Sequence, residues 1–187
     1  MILYPTETIY GLGVNVLNDT ELEQLFILKG RDERKTVSWG VRNIADIKHY
    51  AHVSPLAEKV IQELLPGPLT IVLPAKNTVP KDRQTLDGTI GFRIPGDEVA
   101  QAVINTFMNT HNAPLTCTSA NLSGQPTQPT VEGILKQFGE RAEKIDTVVD
   151  DGQRSGIAST VVKIIDDEII ICREGAIKES EIRSVIG

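Results

Sequence analysis

Short apolar runs rich in β-branched residues alternate along this chain with segments of helical periodicity, and that alternation narrows the available folds more than any other feature. "LTIVL" (69–73), "TIGFRI" (89–94), "STVVKII" (159–165) and "EIIICRE" (168–174) read as strands, the last two as a hairpin turning at Asp166-Asp167. Met1 to Tyr4, Val37 to Val41 and Leu115 to Thr118 supply shorter strands. Between them, a helix is predicted over 21–29, with Thr20 as its cap and Glu23 reaching back. Ile44 and Ile47 suggest a short helix ending near Tyr50. Ser54-Pro55 opens a helix whose stripe is Leu56, Val60, Ile61, Leu64 and Leu65, and Pro66-Gly67-Pro68 stops it. Asp97 and Thr130 cap two more, and a terminal helix covers 178–186. Such interleaving predicts a single α/β (mixed α+β) domain over residues 1–187, with one mixed sheet and its site in the loops that follow the strands.

A chain of 187 residues buries roughly 70% of its unfolded surface, so a core without staples is attainable. No apolar run approaches the roughly 18 residues of a membrane span, and the N-terminus lacks the basic-then-apolar order of a signal peptide. The expectation is a cytoplasmic protein with no membrane partner. A net charge of −6 argues against a general polyanion-binding surface while leaving room for a local basic site. Cys117 and Cys172 stand far apart, and both read as reduced thiols.

The residues able to carry chemistry are cationic or hydroxyl-bearing. "YPTETIYGLG" (4–13) crowds Thr6, Thr8, Tyr4 and Tyr10 around Glu7; its Gly11-x-Gly13 is by itself weak evidence for a nucleotide. "LKGRDERK" (28–35) places Lys29 and Arg31 either side of Gly30, where the chain leaves a helix: they either point one way or simply favour the helix C-terminus. Arg93 interrupts an apolar strand, as an anion grip or as half of a structural ion pair. "CTSANLSGQPT" (117–127) can present the groups of Ser119, Asn121, Ser123 and Gly124 to an anion as a nest. Across the hairpin, Ser159-Thr160 and Arg173-Glu174-Gly175 lie side by side. His49, His52 and His111 show no ligand spacing, so a metal cluster or histidine triad is not expected. A set so poor in general bases suits a reaction driven by positioning and charge neutralisation, notably displacement at phosphorus.

"YPTETIYGLG", "KGR", "PGPLTIVL", "GTIGFRIP", "TSANLSGQPT", "STVV" and "REGAI", in that order, resemble the YrdC/Sua5 family across essentially the whole chain. The resemblance implies an open twisted mixed sheet flanked by helices around a concave ligand cavity. It also implies L-threonylcarbamoyladenylate synthesis: L-threonine, bicarbonate and ATP, with Mg2+, give threonylcarbamoyl-AMP and pyrophosphate. A separate tRNA-modifying machinery then passes the threonylcarbamoyl group to adenosine 37 of tRNA. Carried over by position, Lys29 and Arg31 are the catalytic cations, and Thr8, Arg93, Cys117 and Ser159 meet threonine, Cys117 mainly through its backbone. Arg31, Lys35, Thr89, Ser119, Asn121, Thr127 and Arg173 meet ATP, and no protein side chain is assigned to the metal.

This chain departs from the family pattern at Asp32 and Thr36, where proline is common, and at Gly40, near a position often occupied by a polar threonine contact. The chain also begins almost at the first motif, whereas relatives usually carry a helix and most of a strand before it: either this is a compact subgroup, or the sheet leans on something else, such as a second copy, and monomer and homodimer both stay open. Two other readings of the same residues are an RNA-binding or ribosome-associated module, which the acidic pI near 5.1 disfavours, and a carbamoyl-transfer domain for another acceptor.

Overall fold

The computed structural model describes residues 1–31 and 36–186. Its strands divide into two mixed sheets where the sequence suggested one. The smaller sheet is built from β1 (Ile2–Tyr4), β2 (Gly11–Gly13), β7 (Thr118–Ser119) and β8 (Thr147–Val148), in the order β7-β2-β1-β8. The larger comprises β3 (Trp39–Gly40), β4 (Leu69–Pro74), β5 (Thr89–Arg93), β6 (Leu115–Thr116), β9 (Thr160–Ile165) and β10 (Glu168–Arg173), in the order β10-β9-β4-β5-β3-β6.

The division falls at Cys117. Leu115 and Thr116 pair with β3, whereas Thr118 and Ser119 pair with β2, so the run predicted as one strand switches sheets in mid-course. Hydrogen bonds at the crossing hold the sheets edge to edge: Cys117 N donates to Ser38 O (2.7 Å) and Thr116 N to Val14 O (2.9 Å). β8, which no sequence signal marked, pairs parallel with β1 and covers its free edge.

Alternation along the larger sheet sorts core from site. Leu69, Ile71 and Leu73 of β4 point the same way as Ile90 and Phe92 of β5 and Val162 and Ile164 of β9, and all are buried in one cluster. Helices α2 (Ile44–Tyr50), α3 (Pro55–Leu64) and α6 (Glu179–Ile186) cover that face, with Ile47, Val60, Ile61 and Ile182 among its buried residues. Each such aliphatic side chain, fully buried, contributes about 1.5–3 kcal/mol. The opposite face carries Thr70, Val161, Gly91 and Arg93 and opens on a cavity to whose lining no helix contributes among the described residues.

α1 (Asp19–Lys29) and α5 (Val131–Phe138) pack on the smaller sheet, joining Leu22, Leu25, Ile134 and Phe138 to Leu3 and Leu12. α4 (Glu98–His111) packs Ile104 against Tyr4 and Leu115. The cap of α1 lies two residues before the predicted Thr20. Asn18 accepts from Glu21 N (3.2 Å), while the Glu21 carboxylate takes Asn18 Nδ2 (2.8 Å) and Asn15 N (2.9 Å). The chemistry is that of a capping box; asparagine supplies it where the chain turns back from β2. Ser54, Asp97 and Thr130 cap α3, α4 and α5 as the sequence indicates. Among the described residues no helix is long and apolar enough to cross a membrane.

Candidate active site

Between the uncovered face of the larger sheet and the edge of the smaller one opens a cavity of about 350 Å3. Arg31, Arg93 and Arg173 line it from three distant segments, together with Ser119, Asn121, Thr127, Cys117 and Ser159. Arg93 comes from the end of β5 and Arg173 from the end of β10. Arg31 follows the left-handed Gly30 (φ 59°) that ends α1.

Each arginine is fixed by its own contacts. Arg93 is 5% exposed; its Nη2 donates to Thr8 Oγ1 (2.6 Å) and Thr6 Oγ1 (3.3 Å) and lies 3.2 Å from Glu7 Oε1. Burial alone would lower its pKa, but neighbouring Cys117 and Glu7 outweigh burial and the pKa is raised. Arg173 Nη2 donates to Ser159 O (2.8 Å) and Oγ (3.5 Å), and burial together with the nearby Arg93 lowers its pKa. Arg31 Nη2 donates to Thr36 O (2.7 Å), and burial lowers its pKa as well. Guanidiniums stay charged regardless, so anions gain a desolvated positive surface.

Lys29 stands behind this wall. It is 3% exposed, and its Nζ donates to the carbonyls of Ser119 and Asn121 (3.0 Å for the latter). Burial, then the charge of Arg31, bring its pKa down to about 7. Its position supports the 119–121 loop from beneath, not the cavity lining. Ser123 N donates to Lys29 O (2.8 Å), so that amide cannot face an anion. The nest expected over 117–127 is thus narrower. Ser119 and Asn121 line the cavity, joined by Ser119 Oγ to Asn121 Oδ1 (2.5 Å), whereas Ser123 and Gly124 are exposed outside it.

Other sequence candidates fall differently. Thr8 is buried outside the lining and touches two residues that form it, Arg93 (2.6 Å) and Thr6 (2.9 Å). Cys117 lines the cavity, but its amide is spent on Ser38 O, so a backbone role through N–H is closed. Thr89 sits at the opposite end of β5 from Arg93, about 13 Å along the strand, and does not enter the cavity. Its hydroxyl closes a turn with Thr85 Oγ1 (2.7 Å) and Asp87 Oδ1 (3.0 Å). Lys35 and Asp32 lie outside the described residues. Gly40 faces Ile104 Cδ1, 3.1 Å from where its Cβ would be, and Ser38 lines the cavity in its place. Gly11 and Gly13 serve close packing: a Cβ would meet the Tyr4 ring at 3.2 Å and the Leu115 side chain at 2.5 Å.

Several lining residues escaped the sequence reading. Thr70 Oγ1 pairs with Ser159 Oγ (3.0 Å), and its only signal was one hydroxyl in the apolar run "LTIVL". Ser38 carried no signal separable from its surroundings, while Gly11 and Thr36, noted in the sequence only as part of a weak glycine pair and as a departure from the family pattern, line the cavity as well. Beneath the rim, Thr160 Oγ1 donates to Ile177 O (2.5 Å) and accepts from Gly175 N (2.9 Å) and Ile177 N (3.0 Å), pinning the 175–177 turn against Ser159. Among the described residues no three His, Cys, Asp or Glu side chains converge as a metal site.

Fold and cavity together define an α/β protein that opens a cation- and hydroxyl-lined pocket where two mixed sheets meet. The chain belongs to the Sua5/YciO/YrdC family, whose model, described as "Telomere recombination", matches residues 1–175. It is 39% identical over 178 residues to a Methanocaldococcus jannaschii protein provisionally named threonylcarbamoyl-AMP synthase, covering 95% of this chain and 80% of that one. It is 31% identical to the threonylcarbamoyl-AMP synthase of Pyrococcus abyssi, covering 100% of this chain and 54% of that one. Among solved structures, Pyrococcus abyssi Sua5 complexed with L-threonine superposes with a TM-score of 0.86 at 30% identity, over 100% of this chain and 53% of that one. The chain therefore spans about half the length of the Pyrococcus relative. Escherichia coli YciO shares the fold, with a TM-score of 0.84 at 23% identity.

Proposed function

We propose that this chain is an L-threonylcarbamoyladenylate synthase, joining L-threonine, bicarbonate and ATP into threonylcarbamoyl-AMP with release of pyrophosphate. The observation that carries the reading is the convergence of Arg31, Arg93 and Arg173 with Ser119, Asn121 and Ser159 on one cavity, in a chain that superposes on a Sua5 complexed with L-threonine. Arg93 would take the threonine carboxylate, and the Thr70–Ser159 hydroxyl pair would meet its side chain. Arg31, Arg173, Ser119, Asn121 and Thr127 would hold the nucleotide, with magnesium carried on its phosphates.

In this scheme the threonine amine and bicarbonate form a carbamate with loss of one water, the new N–C bond replacing a C–OH bond of bicarbonate, and one carbamate oxygen then attacks the α-phosphorus as the bond to pyrophosphate breaks. The enzyme supplies no nucleophile. Its part is orientation of three reactants and neutralisation of charge, with cationic hydrogen bonds of about 1.5–3 kcal/mol each. The adenylate would then serve a tRNA-modifying machinery.

The test mixes protein, L-threonine, bicarbonate, ATP and magnesium and assays pyrophosphate together with the adenylate by mass spectrometry. Both products are expected, each dependent on threonine and bicarbonate. ATP turnover without them, or RNA binding with no product, would refute the reading.

A further inference from the structure

Glu7 is the one acidic side chain in "YPTETIYGLG", and the scheme above gives it no task. Both its carboxylate oxygens are shut off from solvent and have no hydrogen-bond partner among the described residues. Its charge is answered by Arg93, whose Nη2 lies 3.2 Å from Oε1. A carboxylate held dry and without hydrogen bonds is costly, so an acid kept in that state beside a cavity-lining arginine requires a return.

The return is visible in how the cavity distributes charge. At the Arg93 end the guanidinium already faces a carboxylate, and its Nη2 is further occupied by the Thr6 and Thr8 hydroxyls. At the β10 end Arg173 donates only to the neutral carbonyl and hydroxyl of Ser159, so its charge stays uncompensated among the described residues. Of two neighbouring guanidiniums on this rim, one thus carries an internal counter-charge and the other does not. Two substrates that both bear anionic groups, a carboxylate with one charge and a polyphosphate with several, therefore meet different local charge at the two guanidiniums.

We propose that Glu7 is a positioning residue that sets which anion sits at Arg93: by offsetting the guanidinium charge, it leaves a seat for the single carboxylate of an amino acid and turns polyphosphate toward Arg173. This role rests on the synthase reading above. Glu7 acts through Arg93 and does not itself touch substrate, since its oxygens are closed to the cavity. Without it, Arg93 and Arg173 become two like seats, and a polyphosphate can occupy the wrong one.

The test is calorimetric titration of L-threonine into the full chain, with and without saturating inorganic pyrophosphate. In the wild type, pyrophosphate should leave threonine affinity within about twofold. In Glu7→Gln it should compete, weakening apparent threonine affinity by about tenfold or more. Glu7→Asp, which keeps the charge, should restore the wild-type pattern, a rescue that a purely structural role would not predict. Displacement of threonine by pyrophosphate in the wild type overturns the proposal even if Glu7→Gln fails to fold. So does a folded Glu7→Gln that keeps wild-type discrimination. A wild type that binds no threonine defeats the synthase reading itself, whereas normal adenylate formation with unchanged anion selectivity in Glu7→Gln defeats the Glu7 role alone.

Discussion

Lys29 offers a prediction in which opposing terms can be weighed. Its amine is buried, and its pKa has fallen from the ordinary 10.5 to about 7. The unfolded chain holds the proton up to pH 10.5 and the native state releases it near 7, so the unfolded state binds more protons between those values. Stability from this residue is fully present above the unfolded pKa, declines as pH falls through the window and is lost below the folded pKa. The slope is about 1.4 kcal/mol per pH unit, or about 2 kcal/mol between pH 8 and 9.5. Lys29→Met keeps the apolar stem and removes this dependence. It also strands the carbonyls of Ser119 and Asn121, at about 1–3 kcal/mol each, while sparing the variant a desolvation penalty of about 4 kcal/mol at pH 7. The two nearly cancel at neutral pH, and the wild type should pull ahead as pH rises. Urea unfolding of both proteins at pH 7, 8 and 9.5 measures the difference, in which all other titrations drop out. Parallel stability curves would refute the argument, because they would mean that Lys29 keeps its proton in the native state.

Gly175→Ala should damage the site through its backbone, since the added Cβ would lie 2.2 Å from Ala158 O and 2.6 Å from Ser159 C. A loss of about 1–3 kcal/mol in thermal or urea unfolding is expected, with a raised KM for threonine because Ser159 is displaced; a variant matching wild type in both would contradict the packing. Arg31→Ala should weaken ATP binding by about tenfold or more with the fold intact, read by calorimetry alongside circular dichroism. L-threonine should be preferred over L-valine by up to about 10⁴-fold in adenylate formation, because the paired Thr70 and Ser159 hydroxyls lose a partner when valine binds. Equal turnover of the two amino acids would remove that pair from the specificity argument.

The hairpin at Asp166-Asp167, the capped helices at Ser54, Asp97 and Thr130, and the alternation of strand and helix were all legible from residue type and spacing. They are local properties: a proline, a cap or a two-residue turn acts within a few positions of itself. The ordered motifs likewise pointed to the family, and they contain most of the residues that line the cavity. What the chain could not announce was anything settled by contact between distant segments. The switch of Leu115–Ser119 from one sheet to the other depends on partners at Ser38 and Val14. Parity along β4 and β5 put Thr70 and Arg93 on the cavity face, yet distance along β5 kept Thr89 away from it. Lys29, which the family resemblance made a substrate contact and which spacing left as either a site cation or a helix-end charge, lies under the 119–121 loop, and Glu7, left without a role by sequence alone, lies against Arg93, because burial leaves a charged group only the partners that tertiary packing brings to it.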